Sequence, residues 1–306
     1  MPLDTVDKIW MDGELVDWAD AKVHILTHTL HYGSGVFEGI RAYATDRGPA
    51  IFRLDDHIRR LFDSAKIYMI DVPFTFDELV AATIETVKVN NVESCYIRPL
   101  VYLGYGEMGL NPLPCPVNAS IAVWPWGSYL GDDGVNNGVR MKVSSWKRHD
   151  PNIMPPAAKG TGMYINSSMA KIEAIKSGYD EAIMLSTQGY VSECTGENIF
   201  IVKNGTIVTP PVSAGALEGI TQSSVQRIAG DLGIPYEVGN LLRSDLYTAD
   251  EGFLSGTAAE VVPIRSVDDR EIGEPGPITR QIQERYFAAV KGEDDRYKDW
   301  LTYVRD

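Results

Sequence analysis

Glu193-Cys194-Thr195-Gly196-Glu197-Asn198-Ile199-Phe200 is the stretch on which the reading of this chain turns. Upstream, residues 190–193 read as a strand that Glu193 closes; downstream, Asn198 opens a second strand running to Lys203. A carboxylate at a strand end ordinarily faces water, but it can also hold a cationic group against the end of a sheet. Glu193 and Glu197 compete for that role, and the residues alone do not separate them. Working outward, 181–185 and 206–209 are further strands, with Asn204-Gly205 as a tight turn. Helices at 164–177, 222–232 and 278–291 interrupt them, stopped by Gly178, Gly233 and Gly292. This mixed order predicts α+β architecture rather than a regular βαβ alternation.

The N-terminal part has its own pattern. Ile9-Trp10-Met11, the turn Asp12-Gly13 and Glu14-Leu15-Val16 read as a hairpin. Residues 54–68 carry Ile58, Leu61, Phe62 and Ala65 at helical spacing. A second helix spans 76–90, with Thr75 and Glu78 as its capping box, and 95–103 alternates as a strand. Gly, Pro and Asn concentrate between Trp124 and Val139, beside Asp132-Asp133. The expected division is a smaller N-terminal α/β domain at 1–126, a linker at 127–138 and a larger C-terminal domain at 139–306.

Composition excludes several classes. A formal net charge of -14 over 306 residues argues against nucleic acid, whose phosphates demand a basic face. No apolar run approaches the roughly 20 residues of a membrane helix. Residues 1–10 carry Asp4 and Asp7 and lack an apolar signal core, so the cytoplasm is the expected compartment. Cys95, Cys115 and Cys194 form no CxxC pair, and the histidines show no ligand spacing; no metal is expected. Gly104-Tyr105-Gly106-Glu107-Met108-Gly109 matches a dinucleotide fingerprint, the feature that would point to a nicotinamide-dependent oxidoreductase. That motif needs a helix opening at its third glycine, and Pro112, Pro114 and Pro116 forbid one. The stretch reads as a loop.

Lys159 lies in Pro155-Pro156-Ala157-Ala158-Lys159-Gly160-Thr161-Gly162, a run almost free of other charge and flanked by small residues that permit close approach. A shielded lysine gives up its proton readily and becomes a nucleophile able to form a Schiff base; an ordinary solvated lysine is the competing reading. Gly219-Ile220-Thr221 precedes the helix expected from Gln222, with Thr221 as its cap, and Gly256-Thr257-Ala258 follows the strand at 252–255. Both can offer backbone N–H groups to an anion, although ordinary capping and turn formation would use the same residues. Tyr96, Arg98, Leu100 and Tyr102 share one strand face, suggesting an apolar pocket with one anion-binding corner; Pro99 leaves a solvated edge strand open. Arg59 and Arg60 sit off the apolar stripe of their helix.

Taken together, Glu193 to Phe200, Ile207-Val208-Thr209 and Leu217-Glu218-Gly219-Ile220-Thr221 resemble the signature of the fold-type IV (class IV) pyridoxal-phosphate enzymes. Phe37-Glu38-Gly39-Ile40-Arg41, Tyr96-Ile97-Arg98-Pro99-Leu100 and Ser255-Gly256-Thr257-Ala258-Ala259-Glu260 resemble their branched-chain aminotransferase subgroup. The resemblance implies a two-domain enzyme whose larger domain has a β-barrel-like core. It implies ping-pong transamination between leucine, isoleucine or valine and 2-oxoglutarate. Lys159 would hold pyridoxal 5'-phosphate, Glu193 would keep its ring nitrogen protonated, and Tyr164 would bond the ring oxygen. Arg60, Ile220, Thr221 and Thr257 would bind the phosphate, while Gly256, Thr257 and Ala258 would meet the substrate carboxylate. Phe37, Gly39, Tyr96, Trp126 and Tyr129 would line the side-chain pocket, Arg98 would take a distal carboxylate, and Tyr32 would reach in from a neighbouring subunit of a homodimer or higher homo-oligomer. Partners would be small amino acids and 2-oxo acids. A D-amino-acid aminotransferase and an aminodeoxychorismate lyase are the alternatives of the same fold. Two positions depart from the pattern: Gln222 replaces the usual lysine or arginine, and Met163 an asparagine.

Overall fold

Strands β1 (Lys8–Met11) and β2 (Glu14–Asp17) pair as the expected hairpin, with Asp12 (φ 49°) and Gly13 (φ 100°) both left-handed at the turn. The structure, a computed structural model, describes residues 4–127 and 130–305; Tyr129 lies outside them. Next come α1 (His28–Tyr32), β3 (Gly35–Phe37), β4 (Ile40–Thr45), β5 (Gly48–Phe52), α2 (Leu54–Ile67), α3 (Phe76–Val89), β6 (Cys95–Leu103) and β7 (Val117–Trp124). α3 begins where its capping box predicts: Thr75 N–H donates to Glu78 Oε2 at 2.7 Å and Glu78 N–H to Thr75 Oγ1 at 3.3 Å. These strands and the C-terminal strand Leu301–Tyr303 form one sheet, ordered C-terminal strand, β5, β4, β6, β7, β1, β2, with β3 also on β6. α2 and α3 bury Leu54, Ile58, Leu61, Leu79 and Val87 in the core that also holds Ile40, Ile51, Ile97 and Ile121 of the sheet.

β6 is an interior strand, not a solvated edge, and still contains Pro99. The physical reason is local. β3 ends at Phe37 and β4 starts at Ile40, so the missing proline N–H falls at the break between them. Pro99 instead accepts from Glu38 N–H at 2.9 Å.

Two compact units divide the chain: Met1–Trp126 with Ala158–Met163 and Ala289–Asp306, and Gly127–Ala157 with Tyr164–Ala288. The first unit therefore recruits a short segment from far along the sequence. Val36 bridges Gly160, Thr161 Oγ1 donates to Gly33 O at 2.8 Å, and Gly162 N–H donates to the same carbonyl at 3.2 Å.

The second unit contains a nine-stranded mixed sheet. Its strands are β8 (Val139–Lys147), β9 (Glu181–Leu185), β10 (Val191–Cys194), β11 (Asn198–Lys203), β12 (Thr206–Thr209), β13 (Tyr236–Val238), β14 (Glu251–Gly256), β15 (Glu260–Val267) and β16 (Arg270–Glu271). The order is β10, β9, β8, β15, β14, β11, β12, β13, with β16 on β15, and the sheet curls as a half-barrel. Helices α4 (Gly131–Asn137), α5 (Tyr164–Lys176), α6 (Ile220–Asp231), α7 (Arg243–Tyr247) and α8 (Pro277–Val290) complete the order, as α+β composition requires. The Gly- and Asn-rich run after Leu130 forms α4, with Val135 against the unit's core. One local expectation fails. α6 begins at Ile220, so Gly219 is its cap and Thr221 lies inside the helix, 3% exposed.

Gly33 caps α1 at φ +65°, and a Cβ there would come within 2.6 Å of Gly162 Cα. Gly33→Ala should therefore destabilise the protein by about 2–4 kcal/mol, combining strain and overpacking against backbone that cannot give. A urea unfolding midpoint equal to the parent's would contradict this packing.

Candidate active site

In the first unit, three contacts fix the backbone around Lys159. Its N–H donates to Ser64 Oγ on α2 at 3.0 Å, its carbonyl accepts from Phe37 N–H on β3 at 3.1 Å, and Gly160 bridges Val36. The half-buried side chain runs over Phe37, with Nζ 5.2 Å from the ring centroid. Lys159 is thus held by sheet and helix together, which is how a reactive side chain gains a reproducible direction.

Beside it is a buried ion cluster. Glu38, with no exposed surface, receives Arg60 Nε on Oε1 at 2.7 Å and Arg60 Nη2 on Oε2 at 2.8 Å. His57 Nδ1 lies 2.7 Å from Glu38 Oε2. Burial alone would push the Glu38 carboxyl up, but the Arg60 guanidinium and His57 overcome it and hold the group well below the usual carboxylate range. Burial pushes His57 down, assisted by the charges of Arg60 and Lys159 and opposed by Glu38. The imidazole is therefore neutral near pH 7, and since a carboxylate only accepts, Nδ1 carries the proton. His57 Nε2 is buried with no hydrogen-bond partner. Arg60 is not the solvated surface charge its place off the apolar stripe suggested; its side chain is 14% exposed.

Arg98 occupies an aromatic box. Its guanidinium carbon lies 4.7 Å from the Phe37 ring centroid, 5.3 Å from Tyr96 and 5.7 Å from Trp124. Tyr96 packs on Trp126 at 4.4 Å and on Trp124 at 5.2 Å. Arg98 Nε and Trp124 Nε1 are buried without partners, an unusual cost that leaves two donors inside an apolar wall. Gly39 belongs to the same wall, since a Cβ there would collide with the Tyr96 hydroxyl. Tyr32, at the end of α1, is 46% exposed and packs on His28 at 4.6 Å.

The second unit separates the two carboxylates that the sequence left in competition. Glu193, 4% exposed on β10, pairs with Arg148 through Oε1 and accepts from Leu217 N–H through Oε2 at 3.0 Å. Arg148 Nη1 donates in turn to Ser167 Oγ at 2.9 Å. Glu197 is different. Burial, then the neighbouring Glu181 charge, push it up to about 8, so it keeps its proton at neutral pH. Glu181 is itself paired with Lys171 at 2.6 Å and with Thr195 Oγ1 at 2.7 Å. Of the two, only Glu193 is built as an anion.

Two segments of this unit present backbone N–H groups at a helix start or a turn. Gly219 contributes no side-chain cap to α6, so the backbone of Ile220 and Thr221 opens the helix without a capping oxygen from that residue. Gln222, where a cation was expected, reaches back from the third helical position and accepts from Gly219 N–H at 3.2 Å. Ser255 ends the buried part of β14 with an unpartnered hydroxyl, and Gly256, Thr257 and Ala258 follow as the half-buried turn into β15. Tyr164 is the first residue of α5, half-buried, and Met163 before it is buried.

Sequence reasoning missed Glu38, His57, Trp124 and Arg148 as members of these clusters. A signal existed for His57: it shares the buried face of α2 with Leu54, Ile58 and Leu61, where a polar residue calls for a partner. Arg148 had no such signal, because its partner is 45 residues away.

Residues 35–267 match the family described as Amino-transferase class IV. The branched-chain-amino-acid aminotransferase of Pseudomonas aeruginosa is 49% identical over 299 residues, covering 97% of each chain. The crystal structure of the Escherichia coli branched-chain amino acid aminotransferase superposes with a TM-score of 0.96 at 46% identity, covering 98% of this chain and 100% of that one. The holo-form branched-chain amino acid aminotransferase of Thermobaculum terrenum, described as its PLP-form, gives 0.92 at 36% identity, covering 98% and 99%. The protein belongs to the class IV aminotransferases, and within them to the branched-chain amino acid aminotransferase family.

Glu197 yields a pH prediction. Its folded-state value near 8 exceeds the ordinary 4.5, so its contribution to stability is complete below about pH 4.5 and is lost as pH rises through about 8. Relative to Glu197→Gln, the parent should therefore lose unfolding free energy steadily between about pH 5 and pH 8.5. A parent that gained on the variant over that range in urea titrations would refute the protonated assignment.

Proposed function

We propose that this protein transfers amino groups between branched-chain L-amino acids and 2-oxoglutarate with pyridoxal 5'-phosphate, and that the site residues divide the work as follows. The observation carrying the reading is Glu193, a nearly fully buried carboxylate whose two oxygens are already ordered by Arg148 and Leu217. The residues fit the cofactor. The orphaned Ser255 hydroxyl, the glycine-capped α6 and the Gly256–Ala258 turn suit a phosphate and a carboxylate, both rich in acceptors.

When bound, pyridoxal phosphate supplies an aldehyde for the substrate amine and a ring that takes up the electron pair of the broken Cα–H bond. Lys159 would hold the aldehyde carbon between turnovers and, once displaced, move the Cα proton as base and then acid. Glu193 would keep the ring nitrogen's proton in place; Arg148 and Leu217 N–H use one acceptor site on each of its oxygens and leave others for that N–H. Tyr164 would donate to the ring oxygen. Arg60, the Ile220 and Thr221 backbone and Thr257 would bind phosphate, while Gly256, Thr257 and Ala258 would orient the substrate carboxylate.

Phe37, Gly39, Tyr96 and Trp126 would form the apolar wall for a branched side chain, with Tyr129, outside the described residues, as a proposed further member and Tyr32 supplied by a second copy of the chain. The expected assembly is a homodimer or larger homo-oligomer with small-molecule partners, in the cytoplasm; among the described residues no helix is long and apolar enough to cross a membrane. Arg98 explains how one wall serves two substrates. The aromatic rings around it stabilise the guanidinium from their faces and give leucine apolar contact, while its N–H groups are available to a distal carboxylate.

A donor–acceptor screen tests the activity: L-leucine with 2-oxoglutarate should be turned over with ping-pong kinetics. Transamination of D-alanine and none of L-leucine would assign a D-amino-acid aminotransferase instead. Arg98→Gln should raise KM for 2-oxoglutarate by about 10–100-fold, the worth of a charge-assisted pair, and change KM for L-leucine far less. An equal loss for both substrates would remove Arg98 from the distal carboxylate.

A further inference from the structure

We propose that Glu38 is the positioning residue of the phosphate contact: through its two-point grip it sets the plane in which the Arg60 guanidinium meets the cofactor's phosphate, and His57 braces Glu38 at Oε2, the oxygen it shares with Arg60 Nη2. This rests on the reading that Arg60 binds phosphate.

A guanidinium presents planar N–H donors, and its energy with a phosphate depends on that plane matching the oxygens. A long side chain on a helix does not fix the plane by itself. Here Nε and Nη2 are spent on the two oxygens of one carboxylate, at 2.7 and 2.8 Å. Two parallel bonds between planar groups remove rotation about the last torsion and thereby aim the rest of the guanidinium.

Glu38 can act as such a jig only if it is itself immobile. It sits at the break between β3 and β4, its backbone N–H donates to Pro99 O, and its side chain has no exposed surface. His57, one turn before Arg60 on α2, donates Nδ1–H to Oε2 at 2.7 Å. With one histidine and one arginine on it, the carboxylate has a single allowed orientation. The imidazole's other nitrogen is buried and has no hydrogen-bond partner, so the bond to Glu38 is the ring's one hydrogen bond.

A charge argument points the same way. A bare arginine would attract phosphate more strongly than one neutralised by a buried glutamate, so Glu38 costs attraction and contributes direction. The pair is a device for specificity toward a phosphate in one place, which serves a cofactor whose reactive carbon must meet Lys159.

The test is a double-mutant cycle on cofactor retention. The holoenzyme and its Glu38→Gln, Arg60→Gln and doubly substituted forms are dialysed to equilibrium against graded pyridoxal phosphate, and in parallel against pyridoxal, which lacks the phosphate. Glu38→Gln should weaken pyridoxal phosphate by about tenfold and leave pyridoxal unchanged. The double variant should bind no more weakly than Arg60→Gln alone, since Glu38 acts through Arg60. His57→Asn, which retains a side-chain N–H donor, should bind more tightly than His57→Leu, and this comparison stands even where Glu38→Gln does not fold. Equal weakening of both cofactors by Glu38→Gln, or additive losses in the cycle, would reduce Glu38 to a structural residue and overturn the proposal. Loss in Arg60→Gln with none in Glu38→Gln would overturn it while sparing the phosphate role of Arg60. No loss in Arg60→Gln would instead remove the phosphate reading on which it rests.

Discussion

The backbone of Lys159 is pinned at both of its polar groups, the N–H by Ser64 of α2 and the carbonyl by Phe37 of β3. Everything asked of the site depends on that constraint. A lysine side chain has four rotatable torsions, and only a fixed Cα confines its amine to a small volume. The neighbouring glycines complete the constraint, because Gly33 and Gly162 pass backbone to backbone and the six-residue segment Ala158–Met163 can then lie within the first unit. The Lys159 amine therefore stands on a segment held by sheet and helix although its sequence reads as a loop.

The electrostatics follow from burial. The chain has a net charge of -14, and several of its buried carboxylates are paired with cations. Glu38 has Arg60 and His57, Glu193 has Arg148, and Glu181 has Lys171. Glu197 has no ion-pair cation of its own among the described residues and stays protonated instead. Removing one member of such a pair strands a buried charge at about 3–5 kcal/mol, which makes these clusters costly to alter. Arg98 differs from the paired cations of these clusters: rings surround it and its Nε has no hydrogen-bond partner.

Much of this was legible in the sequence. The hairpin at Asp12-Gly13, the capping box at Thr75 and Glu78, β6 and β9 lie where periodicity and turn chemistry put them, because local rules decide them. The α+β class and the family followed from ordered motifs rather than from any single residue. What remained hidden depends on contacts distant in sequence. Pro99 is tolerated inside a sheet only because the partner strand breaks opposite it, and Glu193 is distinguished from Glu197 only by Arg148, just past the end of β8. The start of α6 differs by two residues from the sequence reading because Thr221 is a good cap in isolation, while Gly219 is the cap the structure uses. Residues Glu38 and His57 were similarly out of reach, although a histidine on the apolar stripe of α2 was a usable sign.

One amine, on Lys159, would carry the cofactor. Borohydride reduction of the holoenzyme followed by peptide mass mapping tests this, because reduction makes the link between cofactor and lysine permanent. A phosphopyridoxyl mass is expected on the peptide containing Lys159 and on no other. A label on a different lysine, or a fully loaded enzyme with none, would contradict it.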